Sequence, residues 1–250
     1  MIKFEEVEVV GWRHAIRGMR NALESWDRSD SYFDGSYCEE VCLHKNEDCN
    51  PENPYFENGV IGSNDLDLMM RLRNAGPDHR KFMRMIVVYV DITAPLYWWK
   101  EADTYKVGTV ANSCSTMHKI HAKEFTMEDF SYEHLLDLIE VSHGEEGFSA
   151  ISIDGYGFHY SPKYFIHMTC DMLNNYRNLY LETKDKKYWW QMIQLLPSSY
   201  NQKRTVMLNY EVLMNMYHSR QNHKLDEWSV GFVEWVKTLP YSELITGEEI

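Results

Sequence analysis

Between Val107 and Met117 the chain reads VGTVANSCSTM, a small, hydroxyl-rich and uncharged run with Lys100 and Lys106 before it and Lys119 after it. Thr109, Asn112, Ser113, Ser115 and Thr116 offer hydroxyls and one amide, and small side chains leave backbone N–H groups accessible as an anion-holding nest. Phosphate binding is the chemistry that suits such a segment, each charge-assisted hydrogen bond contributing roughly 1.5–3 kcal/mol. A packed turn, in which small residues permit close chain approach, is the other reading of the same composition. Cys38, Cys42, His44 and Cys49 form a second candidate, a Cys3His set of soft ligands for zinc. Their spacing, Cys-x3-Cys-x-His-x4-Cys, departs from paired-knuckle patterns, so ordinary loop thiols are the competing reading and no metal site is assigned. His79, His118, His218 and His223 sit in the most suggestive contexts of the 11 histidines, although a lone histidine usually serves the scaffold. No G-x-S-x-G elbow, Walker loop or G-x-G-x-x-G is present, and Gly155-x-Gly157 alone reads as a turn.

These groups must be held by a core, and 250 residues at 44% hydrophobic content can build one without disulfides. The net charge of −13 argues against nucleic acid and anionic membranes as partners, because both are gripped through Lys and Arg. Any anionic ligand must therefore find a local basic pocket. No apolar run approaches the ~18–20 residues that cross a bilayer, and the N-terminus lacks a secretory pattern, so a cytoplasmic protein with reduced thiols is expected.

Helical spacing predicts a helix over Trp12 to Trp26, and a second one capped by Asn64 and ended by Gly76-Pro77. Met85 to Ile92 is the clearest strand, Phe148 to Tyr160 is strand and turn, and Asn46 to Asn58 is a polar surface excursion. Helices are expected over Pro162 to Thr183, Lys184 to Leu196, Arg204 to Ser219 and Asp226 to Thr238. An α/β (α+β) fold in a single domain spanning residues 1–250, with a central mixed sheet, follows from this order.

From Pro95 onward the sequence resembles the signature region of the flavin-dependent thymidylate synthases, Arg-His-Arg-x-x-Ser-x-Asn-x-x-Ser-x-Arg-Tyr, which follows a strand and a proline. Counted without gaps, Thr104, Tyr105 and Lys106 fall at Arg-His-Arg, Thr109 at the first Ser, Ala111 at the Asn and Cys114 at the second Ser. A one-residue insertion brings Asn112 and Ser115 into register instead. A second block, Leu196-Pro197, Tyr200, Asn209, Leu213, Asn215 and Arg220, followed by His223 and Trp228, is similar in order and spacing to the family's C-terminal helix. His79 stands where a family histidine precedes the central strand.

The resemblance implies a homotetramer that binds FAD at subunit junctions and methylates dUMP, or a related pyrimidine nucleotide, using methylenetetrahydrofolate and NADPH. It implies flavin contacts from His79, Lys106, Thr109, Asn209 and Asn215, and nucleotide contacts from Lys100, Asn112, Ser113, Cys114, Ser115 and Arg220. Arg220 is the implied catalytic residue, with Tyr105 stacking on a ring of the base or flavin. Asn209 and Asn215 also suit capping or internal bridging, and Arg220 suits pairing with Asp226 or Glu227. The departures are the absent first Arg and His, Thr116-Met117 in place of Arg-Tyr, and Glu211 where the family has arginine two residues after Asn209. Lys106 cannot copy the bidentate fork of an arginine. A catalytically silent homologue that binds nucleotide or a protein partner, and a zinc-stapled structural protein, are the alternatives these departures and cysteines leave open.

Overall fold

A computed structural model describes residues 2–33, 59–136, 141–143, 149–153, 156–158 and 161–248. In chain order its elements are β1 (Lys3–Val10), α1 (Trp12–Arg20), β2 (Tyr32–Phe33), β3 (Gly59–Val60), α2 (Ser63–Asn74), β4 (Val87–Pro95), α3 (Leu96–Ala102), β5 (Val110–Ser113), α4 (Thr116–Lys119), β6 (Val141–His143), β7 (Ser149–Ile153) and β8 (Tyr156–Phe158). There follow α5 (Pro162–Thr183), α6 (Lys186–Leu195), β9 (Asn201–Asn209), α7 (Tyr210–Arg220), α8 (Val233–Lys237) and α9 (Glu243–Thr246). The result is a mixed α/β fold with an open four-stranded sheet in the order β1-β4-β9-β5, a three-stranded meander β6-β7-β8 and the small pair β2-β3. Two compact units emerge, one from Thr93–Glu101 and Ser113–Lys203, the other from Ile2–Ile92, Ala102–Asn112 and the chain from Arg204 on.

In the first unit, α5 begins where the Ser161 hydroxyl accepts the Tyr164 N–H at 3.0 Å and Pro162 supplies a φ preset for the first turn. Lys184 adopts a left-handed conformation that ends it, and Asp185 caps α6 by accepting the Lys187 N–H. Ile166, Cys170 and Leu173 of α5 and Met192 of α6 close a core with Ile120, Phe125 and Phe130.

The second unit rests on β4, whose alternate residues Val88, Val90 and Ile92 are buried as a half-covered strand requires. Phe4 of β1 stacks on Trp235 with centroids 4.3 Å apart. Trp12 packs edge-on against Tyr210 and Tyr241. Gly11 precedes α1 at φ 96°, and a Cβ there would run into the Met85 carbonyl, so only glycine fits.

Several expectations change. The chain from Arg204 is β-strand before it is helix: Val206 and Leu208 are buried at a period of two, and the helix starts only after Asn209, whose Oδ1 accepts the Val212 N–H at 3.0 Å. The strand expected from Met85 starts at Val87, because Arg80–Met85 is a 3-10 helix. The segment expected as helix over Asp226 to Thr238 opens as a π-helix, Glu227–Phe232, before α8. Asn64 does not cap α2. Asp30 does so from a distant segment, accepting the N–H groups of Asn64 at 2.9 Å and Asp65 at 3.1 Å. Helix α1 stops at Arg20, and short 3-10 turns carry the chain on to Arg28.

Candidate active site

Within the second unit, residues from both sequence blocks come together. Tyr105 lies just after α3 and Arg220 ends α7, and the Arg220 Nε donates to the Tyr105 hydroxyl at 2.9 Å across 115 residues of sequence. The Arg220 guanidinium also lies 5.3 Å from the Tyr105 ring centroid and 5.0 Å from that of Trp228. A cation held over two aromatic faces is oriented electrostatically and loses few further rotamers on meeting an anion. His223 stands edge-on to Trp228 at 6.4 Å, and its Nδ1 accepts the Leu225 N–H at 3.2 Å, which places the proton of the neutral ring on Nε2.

Next to this cluster, Gly108 lies at φ 80°, where a Cβ would come within 3.0 Å of both the Asn209 amide nitrogen and Val212. Asn209 therefore spends its oxygen on capping α7 and turns its amide nitrogen toward the chain that follows Tyr105 and Lys106. Thr109 donates its hydroxyl to the Tyr105 carbonyl, which closes that turn. Lys106 is exposed, as is Asn215, whose side chain makes no hydrogen bond among the described residues.

One turn before Asn215 lies Glu211, a buried carboxylate that accepts from the Nε of Arg80 at 3.3 Å and from Nε and Nη2 of Arg84, the latter at 3.3 Å. Burial alone would raise its pKa, but the hydrogen bonds and charges of Arg84 and Arg80 win, and the carboxyl is held below its ordinary value. Glu211 is thus paired with two arginines that were not among the expected site residues. The available signal was the four-residue spacing of Arg80 and Arg84 just after His79. His79 itself is exposed at the start of that 3-10 helix. Further along the same face of α7, His218 faces Arg73 at 3.3 Å, and burial together with Arg73 and Arg80 pushes its pKa down.

The hydroxyl-rich run does not form the expected nest. Val110–Ser113 is an extended strand, in which successive N–H groups point to opposite sides instead of converging on one anion. Asn112 is exposed at the end of the part of this strand that belongs to the second unit. Within the first unit, the Cys114 N–H donates to the Lys203 carbonyl at 2.9 Å, its carbonyl accepts from Gln202, and Ser115 caps α4 by accepting the His118 N–H at 3.1 Å. Lys100, Ser113 and Lys119 are exposed there. The zinc candidates Cys38, Cys42, His44 and Cys49 lie outside the described residues, and no group of metal-ligating side chains occurs among those described.

No family model matches the sequence, and no curated protein matches it either. Solved structures do. Thymidylate synthase X (ThyX) from Helicobacter pylori, crystallised with FAD and dUMP, superposes with a TM-score of 0.58 at 15% identity, over 98% of this chain and 97% of its own. The UMP/dUMP methylase PolB from Streptomyces cacaoi, bound with 5-Br dUMP, gives 0.54 at 15% identity, over 99% and 95%. The chain therefore has the fold of these proteins.

Proposed function

We propose that this protein is a divergent flavin-dependent enzyme of pyrimidine nucleotide methylation. Its substrate is dUMP or a near relative, its one-carbon donor methylenetetrahydrofolate, its redox cofactor FAD and its reductant NADPH. The observation that carries the reading is the meeting of Tyr105 with Arg220 and of Gly108 with Asn209, which joins two stretches chosen from sequence alone into one site. That the neighbours of the same fold were crystallised with dUMP or a halogenated dUMP supports the substrate class.

Arg220 is positioned to meet the pyrimidine or its phosphate, with the Tyr105 hydroxyl and ring fixing the guanidinium plane. Asn209, Asn215, His79, Lys106 and Thr109 are the flavin contacts of this reading, and Lys100, Asn112, Ser113, Cys114 and Ser115 the further nucleotide contacts. The residues present fit a flavin: the Asn215 amide is exposed and uncommitted among the described residues, and half-exposed Arg84 spends only two of its three nitrogens on Glu211. When bound, FAD supplies the hydride chemistry, while the protein orients the base and excludes water. An oligomer of this chain, a homotetramer in the family's manner, is supported by Phe165, Met172 and Leu179, which are exposed at seven-residue intervals along α5. Among the described residues no helix is long and apolar enough to cross a membrane. A cytoplasmic location is part of the same proposal.

The commitment of Arg80 and Arg84 to Glu211 favours a second reading, a homologue that binds nucleotide without turnover. Purified protein mixed with FAD and desalted should keep a flavin absorption spectrum, bind dUMP in a calorimeter, and oxidise NADPH faster when dUMP is added. Arg220→Ala should weaken dUMP binding by about 30-fold or more, as losing the partner of a buried charged group costs roughly 2–5 kcal/mol. Binding without NADPH oxidation selects the second reading, and absence of both flavin and dUMP binding refutes both.

A further inference from the structure

A concentration of positive charge in this acidic chain lies outside the cluster around Arg220. Helix α1, WRHAIRGMR, carries three arginines and a histidine and no acid. Arg13, Arg17 and Arg20 recur at i, i+4 and i+7, so one helical face presents all three. That face lines a cavity of about 630 Å³, to which Trp26 and Tyr32 also contribute. Its size falls in the range of small-molecule sites, and none of its lining residues belongs to the Tyr105 and Arg220 cluster.

The cavity's groups are organised to different degrees. Arg20 is 5% exposed and fixed at the back: its Nε donates to Asp65 at 2.6 Å and its Nη1 to the Ser25 carbonyl at 3.3 Å. Asp65, fully buried, satisfies the charge of Arg20 and accepts in addition from Ser29 and Ser31. Arg13 and Arg17 are exposed, and among the described residues neither has a carboxylate partner. The Arg17 guanidinium lies 5.3 Å from the centroid of the Trp26 ring, which is itself 40% exposed. Two uncompensated arginine forks in a chain of net charge −13 create a local positive field, and arginine forks match phosphate oxygens. The accessible indole and phenol beside them supply flat apolar surface for a ring.

We propose that this cavity binds a phosphorylated, ring-bearing small molecule of the nucleotide class, with Arg13 and Arg17 on the phosphate and Trp26 or Tyr32 against the ring. Titration calorimetry with adenosine 5′-monophosphate as the probe tests it, with adenosine and inorganic phosphate run alongside. Wild-type protein should bind the monophosphate at submillimolar concentration, and adenosine or inorganic phosphate alone at least tenfold more weakly. The Arg13→Ala/Arg17→Ala double variant should lose at least tenfold in affinity, Trp26→Ala should lose several-fold, and Arg220→Ala should bind as wild type does. Because Arg13 and Arg17 are exposed, the double variant should retain the wild-type melting curve, measured on the same samples. No binding by the wild-type chain, equal binding by the double variant, or a loss confined to Arg220→Ala would each overturn the proposal.

Discussion

Replacing Glu211 with glutamine keeps the shape of the side chain and removes its charge, depriving Arg80 and Arg84 of the carboxylate they share. Removing one member of a fully buried pair costs roughly 3–5 kcal/mol. The glutamate side chain is 11% exposed and Arg80 21%, but Arg84 is 54% exposed, so water screens half of the arrangement. A loss of about 2 kcal/mol is therefore expected. For a chain of this length that corresponds to a melting temperature lower by about 4–8 °C. The sign with pH is fixed by the depressed carboxyl pKa. Stability from Glu211 is fully present above the unfolded-state value of roughly 4.3 and is lost as pH falls through the lower folded-state value. The gap between wild type and Glu211→Gln should thus be constant from about pH 6 to 8 and close at acid pH. Melting curves recorded by circular dichroism across this range measure it. A variant that melts with wild type at pH 7, or a gap that widens on acidification, would refute the reasoning.

Two other outcomes follow from buried groups. Asp65→Asn replaces a carboxylate that accepts from Arg20, Ser29, Ser31 and the Asp30 and Ser31 N–H groups, and should cost about 3–5 kcal/mol, read as a lower urea midpoint with an unchanged slope. The Cys170 thiol is pushed up to about 11 by burial and by the neighbouring charges of Asp129 and Asp171, whereas Cys114 is exposed. Alkylation at pH 8 followed by peptide mass mapping should label Cys114 well before Cys170, and equal labelling would contradict this assignment.

The sequence revealed elements whose signals are local. Helix α5 has the bounds, Pro162 to Thr183, that its apolar spacing foretold, and the central strand is present, although it runs to Pro95, past the expected Ile92. It concealed elements defined by partners. In β1, KFEEVEVV, four of eight side chains are Glu or Lys, and the strand is fixed by contacts such as Phe4 on Trp235. The strand Asn201–Asn209 runs directly into α7, so its alternating Val206 and Leu208 merged with the helical spacing of Leu213 and Met214. The site divides in the same way. Tyr105, Asn209 and Arg220 were singled out by the family resemblance, and their proximity appeared only in three dimensions. The role of Glu211 emerged only once Arg80 and Arg84 were seen around it, because the spacing of those arginines does not tell which acid, 127 and 131 residues away, they meet.

The hydrogen bond from Arg220 to Tyr105 also has a bearing on how the protein is made. Closing a loop of 115 residues costs about 2 kcal/mol more entropy than closing one a tenth as long, so this contact forms only after nearer ones have shortened the path. A ribosome releases the tyrosine long before the arginine exists. A nascent chain, or one cut short before Arg220, therefore cannot assemble this pair.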